Sequence, residues 1–311
     1  MLTTINTSEG LFRYNYLPFG LSVSPAMFQA FISKVLNGIN NVIAYQDDIL
    51  VLTNTVEQHN SILNQVLSAL RHAGLKLNIE KSNFFVDGVS YLGHVFDNKG
   101  VHPSPDKIKA FCNAPSPKNL KQLQAFIGIC NFYSKFIPNF SDKMCPLYNL
   151  LKKGVAFKWE SAHQKTFEYV KKCFKTNNIL SLYNPKHETM LETDSSGYGL
   201  GAVLSQRRDS NDSWHPVQFI SRTLNKAEQN YSNIEREALS VVYACEKFSK
   251  FLLGCHFTIR NDHQPLKKIL KCNSGVPNNV SARLQRWALR LSQYQYNFVY
   301  SKGSENIQVI F

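Results

Sequence analysis

Residues 42–52 read Val42-Ile43-Ala44-Tyr45-Gln46-Asp47-Asp48-Ile49-Leu50-Val51-Leu52. Two short apolar, β-prone runs flank a polar tip, and that pattern predicts a hairpin. Neighbours in an extended chain point to opposite faces. The adjacent carboxylates of Asp47 and Asp48 therefore read in two ways. They form a plain solvated turn, or they supply ligands to divalent metals spaced about 4 Å apart, which bridge carboxylates and phosphate oxygens in phosphoryl transfer. Upstream, turn-rich aromatic sequence runs to Gly20, and an apolar segment follows from Pro25 to Leu36. Downstream, Ile62, Leu63, Val66, Leu67 and Leu70 recur at helical spacing between Val56 and His72, with Gly74 as a stop. Short strands are expected around Phe84-Phe85-Val86 and from Tyr91 to Phe96.

The first boundary falls in the Pro-punctuated stretch from His102-Pro103 to Pro115-Ser116-Pro117. Ser116 followed by Pro117 predicts a capped helix start, with Leu120, Leu123, Phe126, Ile127 and Cys130 on one stripe. A second helix is expected from Ser161, with Gln164 as its capping-box partner and Phe167, Val170 and Phe174 inward. After Tyr183-Asn184-Pro185 the pattern changes. Strands are expected over Thr189–Asp194, Gly199–Gln206 and Pro216–Ser221. A long helix from Ser232 follows, with Glu235 in its capping box. Then come a strand Phe257–Asn261, a helix Arg283–Gln293 and a strand Tyr296–Ser301. That order fits a mixed α/β sheet.

A second group of acids lies in this last part. Asp194 and Asp262 each end a predicted strand, where ligand sites of α/β sheets gather. Glu237 is in phase with Val241 and Ala244 on the long helix and is placed to face inward. The three are either separate surface acids or an oxygen-ligand set for hard cations. Gly197-Tyr198-Gly199-Leu200-Gly201 is not a dinucleotide loop, because a strand rather than a helix follows it. His263 is a catalytic accessory or a polar cap.

Length and composition bound the partners. A chain of 311 residues suggests two or three domains. A formal net charge of +13 favours polyanions, nucleic acid first. Basic and aromatic residues interleave at Lys107, Lys109, Lys118, Lys121, Phe132, Tyr133, Phe136, Lys152, Lys153, Lys171 and Lys172. They read as phosphate contacts with stacking rings, or as a solvated helix face over an aromatic core. Seven scattered cysteines without a C-x-x-C pair argue against a disulfide framework or structural zinc and fit a reducing, intracellular compartment. No run of 18 apolar residues is present, so no membrane span is expected.

Several stretches together resemble gypsy-type LTR-retrotransposon Pol polyproteins. Asn15 to Leu21 with Ser24-Pro25-Ala26 and Phe28-Gln29 is similar to a palm motif that contacts template and nucleotide. Tyr45-Gln46-Asp47-Asp48 resembles the catalytic hairpin, Gly74 to Asn78 with Lys81 the next palm motif, and Tyr91-Leu92-Gly93-His94 the primer grip. Thr193-Asp194-Ser195-Ser196, the Glu237 helix and Asn261-Asp262-His263 resemble a tethered ribonuclease H domain. The resemblance covers essentially the whole chain and favours the metal reading of both acid groups.

It implies an α+β multidomain protein. Residues 1–100 would be a partial reverse transcriptase palm, 101–183 a helical thumb and connection, and 184–311 a ribonuclease H-like mixed α/β domain. It implies RNA-directed DNA polymerase and ribonuclease H chemistry, with Asp47, Asp48, Asp194, Glu237 and Asp262 as catalytic ligands of Mg²⁺ or Mn²⁺. Phe19, Gly20, Gln29, Tyr45, Lys81, Leu92, Gly93 and His263 would contact substrate. The implied partners are an RNA template, a DNA primer, an RNA–DNA hybrid and deoxynucleoside triphosphates, in a cytoplasmic particle or the nucleus, with oligomeric state left open. The family's palm carries a further metal-binding Asp upstream of Pro18-Phe19-Gly20, and its nuclease a fourth acid where Phe311 stands after Glu305-Asn306-Ile307-Gln308-Val309. Little or no polymerase activity and weak hydrolysis are therefore expected of this chain, which reads as a central fragment or a decayed copy. The alternative is a catalytically dead nucleic-acid-binding relic.

Overall fold

The computed structural model describes residues 4–18, 20–175, 179–270 and 280–302. The chain divides into two compact units, Met1–Tyr91 and Leu92–Phe311.

In the first unit, β1 (Thr4–Thr7) and β2 (Gly10–Arg13) form an antiparallel ribbon. The apolar segment that follows is a helix, α1 (Ser24–Val35), with Pro25 in its first turn, where a missing N–H costs nothing. The expected hairpin is present as β3 (Val42–Tyr45) and β4 (Asp48–Val51). The helix α2 (Val56–His72) is capped by the Thr55 hydroxyl, which accepts the Gln58 N–H. Gly74 at φ +71° follows it, as a helix stop requires. Ile32 of α1 and Leu36 just past its end pack on Ile62, Val66 and Leu70 of α2, with Val42, Ala44, Ile49 and Val51 of the hairpin against them. The strand expected at Phe84–Val86 is not formed. Phe85 takes a left-handed φ of +53°, which breaks a strand, and its ring lies 4.8 Å from that of His59. The strand here is β5 (Gly88–Tyr91).

The second unit opens with the antiparallel pair β6 (His94–Asp97) and β7 (Gly100–Pro103). The Pro-punctuated stretch contains an unforeseen helix, α3 (Pro105–Asn113). The next, α4 (Leu120–Phe132), starts later than Ser116-Pro117 suggests. Asn119 accepts the Gln122 N–H as its cap, while the Ser116 hydroxyl donates to Gln164. Helices α5 (Phe140–Asn149) and α6 (Ser161–Lys175) complete the helical segment. Gln164 makes no capping box, because its carbonyl oxygen is taken by Ser116 and by the Trp159 indole N–H. Of the expected stripe, Leu123, Phe126, Ile127 and Cys130 are buried, whereas Leu120, in the first turn of α4, is exposed; Phe167, Val170 and Phe174 are buried as expected.

A five-stranded sheet then forms in the order β10-β9-β8-β11-β12, from β8 (Glu188–Ser195), β9 (Gly199–Arg207), β10 (His215–Thr223), β11 (His256–Asn261) and β12 (Gln295–Tyr300). Strands β8, β9 and β10 are an antiparallel meander; β11 runs parallel to both β8 and β12. The crossover from β10 to β11 is α7 (Asn233–Lys247) and the single turn α8 (Ser249–Leu252). α9 (Leu266–Ile269) and α10 (Ala282–Leu291) lie between β11 and β12. Both faces of the sheet are covered. Leu200, Ala202 and Leu204 of β9 join α7 and α10 in one core, while Val203 and Phe219 point into the core of α4, α5 and α6.

Candidate active site

In the first unit, Gln46 and Asp47 connect Tyr45 to Asp48, the last register pair of the hairpin. Gln46 adopts φ +52°, the left-handed conformation that two-residue hairpin turns need at their first central position. Asp47 and Asp48 are both exposed. Gln29 of α1 holds the tip. Its side-chain oxygen accepts the Gln46 N–H at 2.6 Å, and its amide nitrogen donates to the Ala44 carbonyl at 3.0 Å. Its amide is thus engaged with the hairpin backbone. Tyr45 is half exposed, and Lys81 is exposed in a short 3₁₀ turn. Gly20 is exposed at φ +86°. Phe19 lies outside the described residues.

In the second unit, Leu92 and Gly93 precede β6 at φ +48° and +79°. The Tyr133 hydroxyl donates to the Gly93 carbonyl at 2.8 Å, and a Cβ on Gly93 would press on the Phe132 ring at 3.2 Å. Beside them His94 is 8% exposed among Phe96, Phe132, Tyr133 and Phe136, and its Nε2 is buried without a partner. Tyr133 and Phe136 are core residues, 3% and 1% exposed, so they do not form a stacking surface for bases. Of that aromatic set only Phe132 is exposed, whereas Lys107, Lys109, Lys118, Lys121, Lys152, Lys153 and Lys172 face solvent.

The acids of the sheet converge. Asp194 stands near the carboxyl end of β8, Asp262 just past that of the parallel β11, and Glu237 in the second turn of α7. One ligand oxygen from each lies within 4.8 Å of the others. Glu237 is buried, Asp194 half-buried and Asp262 exposed, so the cluster opens to solvent on one side. The Glu237 carboxylate is held at both oxygens. Ser195 Oγ donates to one at 2.7 Å and Asn261 Nδ2 to the other at 2.9 Å. Asn261 is fully buried and also donates to the carbonyl and hydroxyl of Thr193, which ties β11 to β8 beside the acids. The Asn261 side-chain oxygen accepts the His263 N–H, so the Asp262 loop is fixed as well.

Burial, then the charges of Glu237 and Asp262, push the Asp194 carboxyl up to about 8. Burial pushes Glu237 up to about 7, against the two hydrogen bonds it accepts. Three crowded carboxyl groups, which hold protons more tightly than usual and offer oxygen ligands only, are a fitting set for a hard divalent cation such as Mg²⁺ or Mn²⁺. Among the described residues this is the only group of three or more candidate metal ligands. Ser195 and Asn261 lie in the motifs that carry the resemblance, but the sequence assigns neither a role of its own. Glu305 to Phe311 lie outside the described residues.

Residues 1–96 match the reverse transcriptase (RNA-dependent DNA polymerase) family, and residues 184–294 match the RNase H-like domain found in reverse transcriptase. The Pol polyprotein of the Drosophila melanogaster transposon 297 is 37% identical over 98% of this chain, and the Tf2-7 transposon polyprotein of Schizosaccharomyces pombe 34% identical over 96%. The chain belongs to the gypsy-type retrotransposon Pol polyproteins. It spans 28% and 22% of the length of those two relatives. Its fold is similar to part of the foamy viral protease–reverse transcriptase. A structure of that protein with double-stranded DNA gives a TM-score of 0.83 at 25% identity, over 97% of this chain and 53% of the other. A structure with an RNA/DNA hybrid gives 0.80 at 24% identity, over 99% and 42%. Asp47 and Asp48 fall within the first matched part, and Asp194, Glu237 and Asp262 within the second.

Proposed function

We propose that the sheet acids hydrolyse the RNA strand of an RNA–DNA hybrid, and that the Asp47–Asp48 hairpin serves RNA-directed DNA synthesis from deoxynucleoside triphosphates, on an RNA template and a DNA primer. The convergence of Asp194 and Asp262, at the carboxyl ends of two strands, with Glu237 of α7 within 4.8 Å carries the nuclease half of this reading. Asp194, Glu237 and Asp262 would hold Mg²⁺ or Mn²⁺, which supplies an acidified water and neutralises charge on the scissile phosphate. Ser195 and Asn261 set the Glu237 oxygens in place, so that this ligand need not reorganise when charge develops. The exposed lysines of the helical segment grip the phosphate backbone without reading sequence. Residues 1–100, 101–183 and 184–311 would then act as palm, thumb with connection, and nuclease.

The test is cleavage of a hybrid labelled on its RNA strand, wild type against Asp194→Asn. Divalent-metal-dependent RNA fragments are expected from the wild type. They should fall at least about a hundredfold in the variant, since outer-shell changes alone cost 10- to 100-fold, while hybrid affinity holds. Equal cleavage by both proteins would refute the reading. Tight binding with no cleavage by either would show a non-catalytic hybrid binder.

A further inference from the structure

A carboxylate from outside the sheet reaches the loop that follows Asp194. Asp142, in the first turn of α5, accepts the Ser196 hydroxyl proton through Oδ2 at 2.7 Å. With its proton committed to Asp142, Ser196 Oγ turns its lone pairs to the loop and accepts the backbone N–H of Gly199 at 2.9 Å and of Tyr198 at 3.1 Å. The Ser196 N–H closes the same loop on the Gly199 carbonyl at 2.9 Å. Asp142 can come this close only because residue 199 is glycine. A Cβ there would collide with Asp142 Oδ1 and crowd the Arg222 carbonyl. The helix that delivers Asp142 is itself anchored on the sheet. The Ser141 N–H donates to Ser221 Oγ, and the Ser221 hydroxyl donates to Ser141 Oγ.

The loop matters because Ser195, one residue earlier, holds Glu237, and Asp194 precedes it. We infer that Asp142 is a positioning residue of the nuclease site, acting through Ser196 to fix the Ser195–Gly199 loop and with it the carboxylate cluster. The helical segment thereby becomes part of the nuclease rather than a spacer before it. This rests on the metal-site reading above only for its effect on cation affinity; the effect on the loop stands apart from it.

The whole chain and its Asp142→Ala, Asp142→Asn, Ser196→Ala and doubly substituted Asp142→Ala/Ser196→Ala forms are compared by amide hydrogen exchange without metal and by calorimetric titration with Mg²⁺. Asp142→Ala and Ser196→Ala should each speed exchange at Tyr198 and Gly199 by about tenfold, the effect of losing one hydrogen bond. Exchange in the β9 interior at Leu204 should not change, which separates the effect from general destabilisation. Mg²⁺ affinity should fall on the order of tenfold, as for other outer-shell changes. Asp142→Asn should restore both readouts, because an amide oxygen accepts the same hydroxyl proton. The double variant should be no worse than the poorer single one, as expected for two ends of one bond. Unchanged exchange in Asp142→Ala, an Asp142→Asn as impaired as Asp142→Ala, or additive effects would overturn the inference. So would undiminished Mg²⁺ affinity in Asp142→Ala when the wild type binds the ion. Should the wild type take up no Mg²⁺, the metal reading falls, and the exchange data alone decide the role of Asp142.

Discussion

Asn261 shows how much one side chain does here. Its amide nitrogen satisfies a Thr193 carbonyl, a Thr193 hydroxyl and a Glu237 oxygen, with no exposure to solvent. Removing it leaves a buried carboxylate oxygen without its donor, and hydrogen bonds to charged groups are worth about 1.5–3 kcal/mol. Asn261→Ala should therefore lower stability by about 2–3 kcal/mol in chemical denaturation. His94 carries a pH dependence. Burial, then the neighbouring Lys135 charge, lower its pKa from the ordinary 6.5. The folded protein thus resists a proton that the unfolded chain accepts. Stability from this group is complete above pH 6.5 and is lost as pH falls from there through the depressed folded value. Asp194 and Glu237 act in the opposite sense, since their raised values make the folded state the better proton binder. A melting temperature measured at pH 7.5 and 5.5 should fall less, or rise more, in His94→Phe than in the wild type. Equal shifts would remove His94 from the account.

At the scale of elements, the legible parts are those set by local sequence. Val56–His72 is legible from periodicity and the Gly74 stop, and α7 from its apolar face and the expected capping box of Ser232 and Glu235. Strand ends and helix phase bring Asp194, Glu237 and Asp262 forward as candidates, and only the resemblance favours a ligand set over separate surface acids. Missed features depend on distant partners. Ser116 looks like a cap but is drawn to Gln164, 48 residues away, and Phe84–Val86 looks like a strand but turns at Phe85. Asp142 gave no signal at all, since its partner Ser196 is 54 residues on. The Leu92–Gly93 turn is a similar case: its shape follows from Gly93 at positive φ against the Phe132 ring of α4. Gly93→Ala should cost about 1–3 kcal/mol, the range for strained left-handed residues. Tyr133→Phe, which removes only the bond to the Gly93 carbonyl, should cost about 1 kcal/mol. Urea denaturation orders the two, and an equal or smaller loss in Gly93→Ala would mean that the turn relaxes around the methyl group.

Across residues 92–311, the sheet is the common wall of two cores. Alternation along β9 sends Leu200, Ala202 and Leu204 to the side of α7 and α10, and Val203 to the side of α4, α5 and α6, where Phe219 of β10 joins it. A helical segment that merely preceded the sheet in sequence would fold and unfold on its own. One that buries sheet side chains in its own core cannot lose them without exposing apolar surface on both sides. These residues should therefore unfold in a single transition. The tryptophans report on it separately, because Trp159 packs on the helical core and Trp287 lies in the other. With Trp214→Phe as background, chains retaining only Trp159 or only Trp287 should give superimposable urea curves. Phe219→Ala should move both by the same amount, about 3–5 kcal/mol for a buried phenylalanine. If the Trp159 curve shifts while the Trp287 curve stays, the helical segment is an independent domain, and the path from Asp142 to the carboxylates would then cross a boundary too loose to position them.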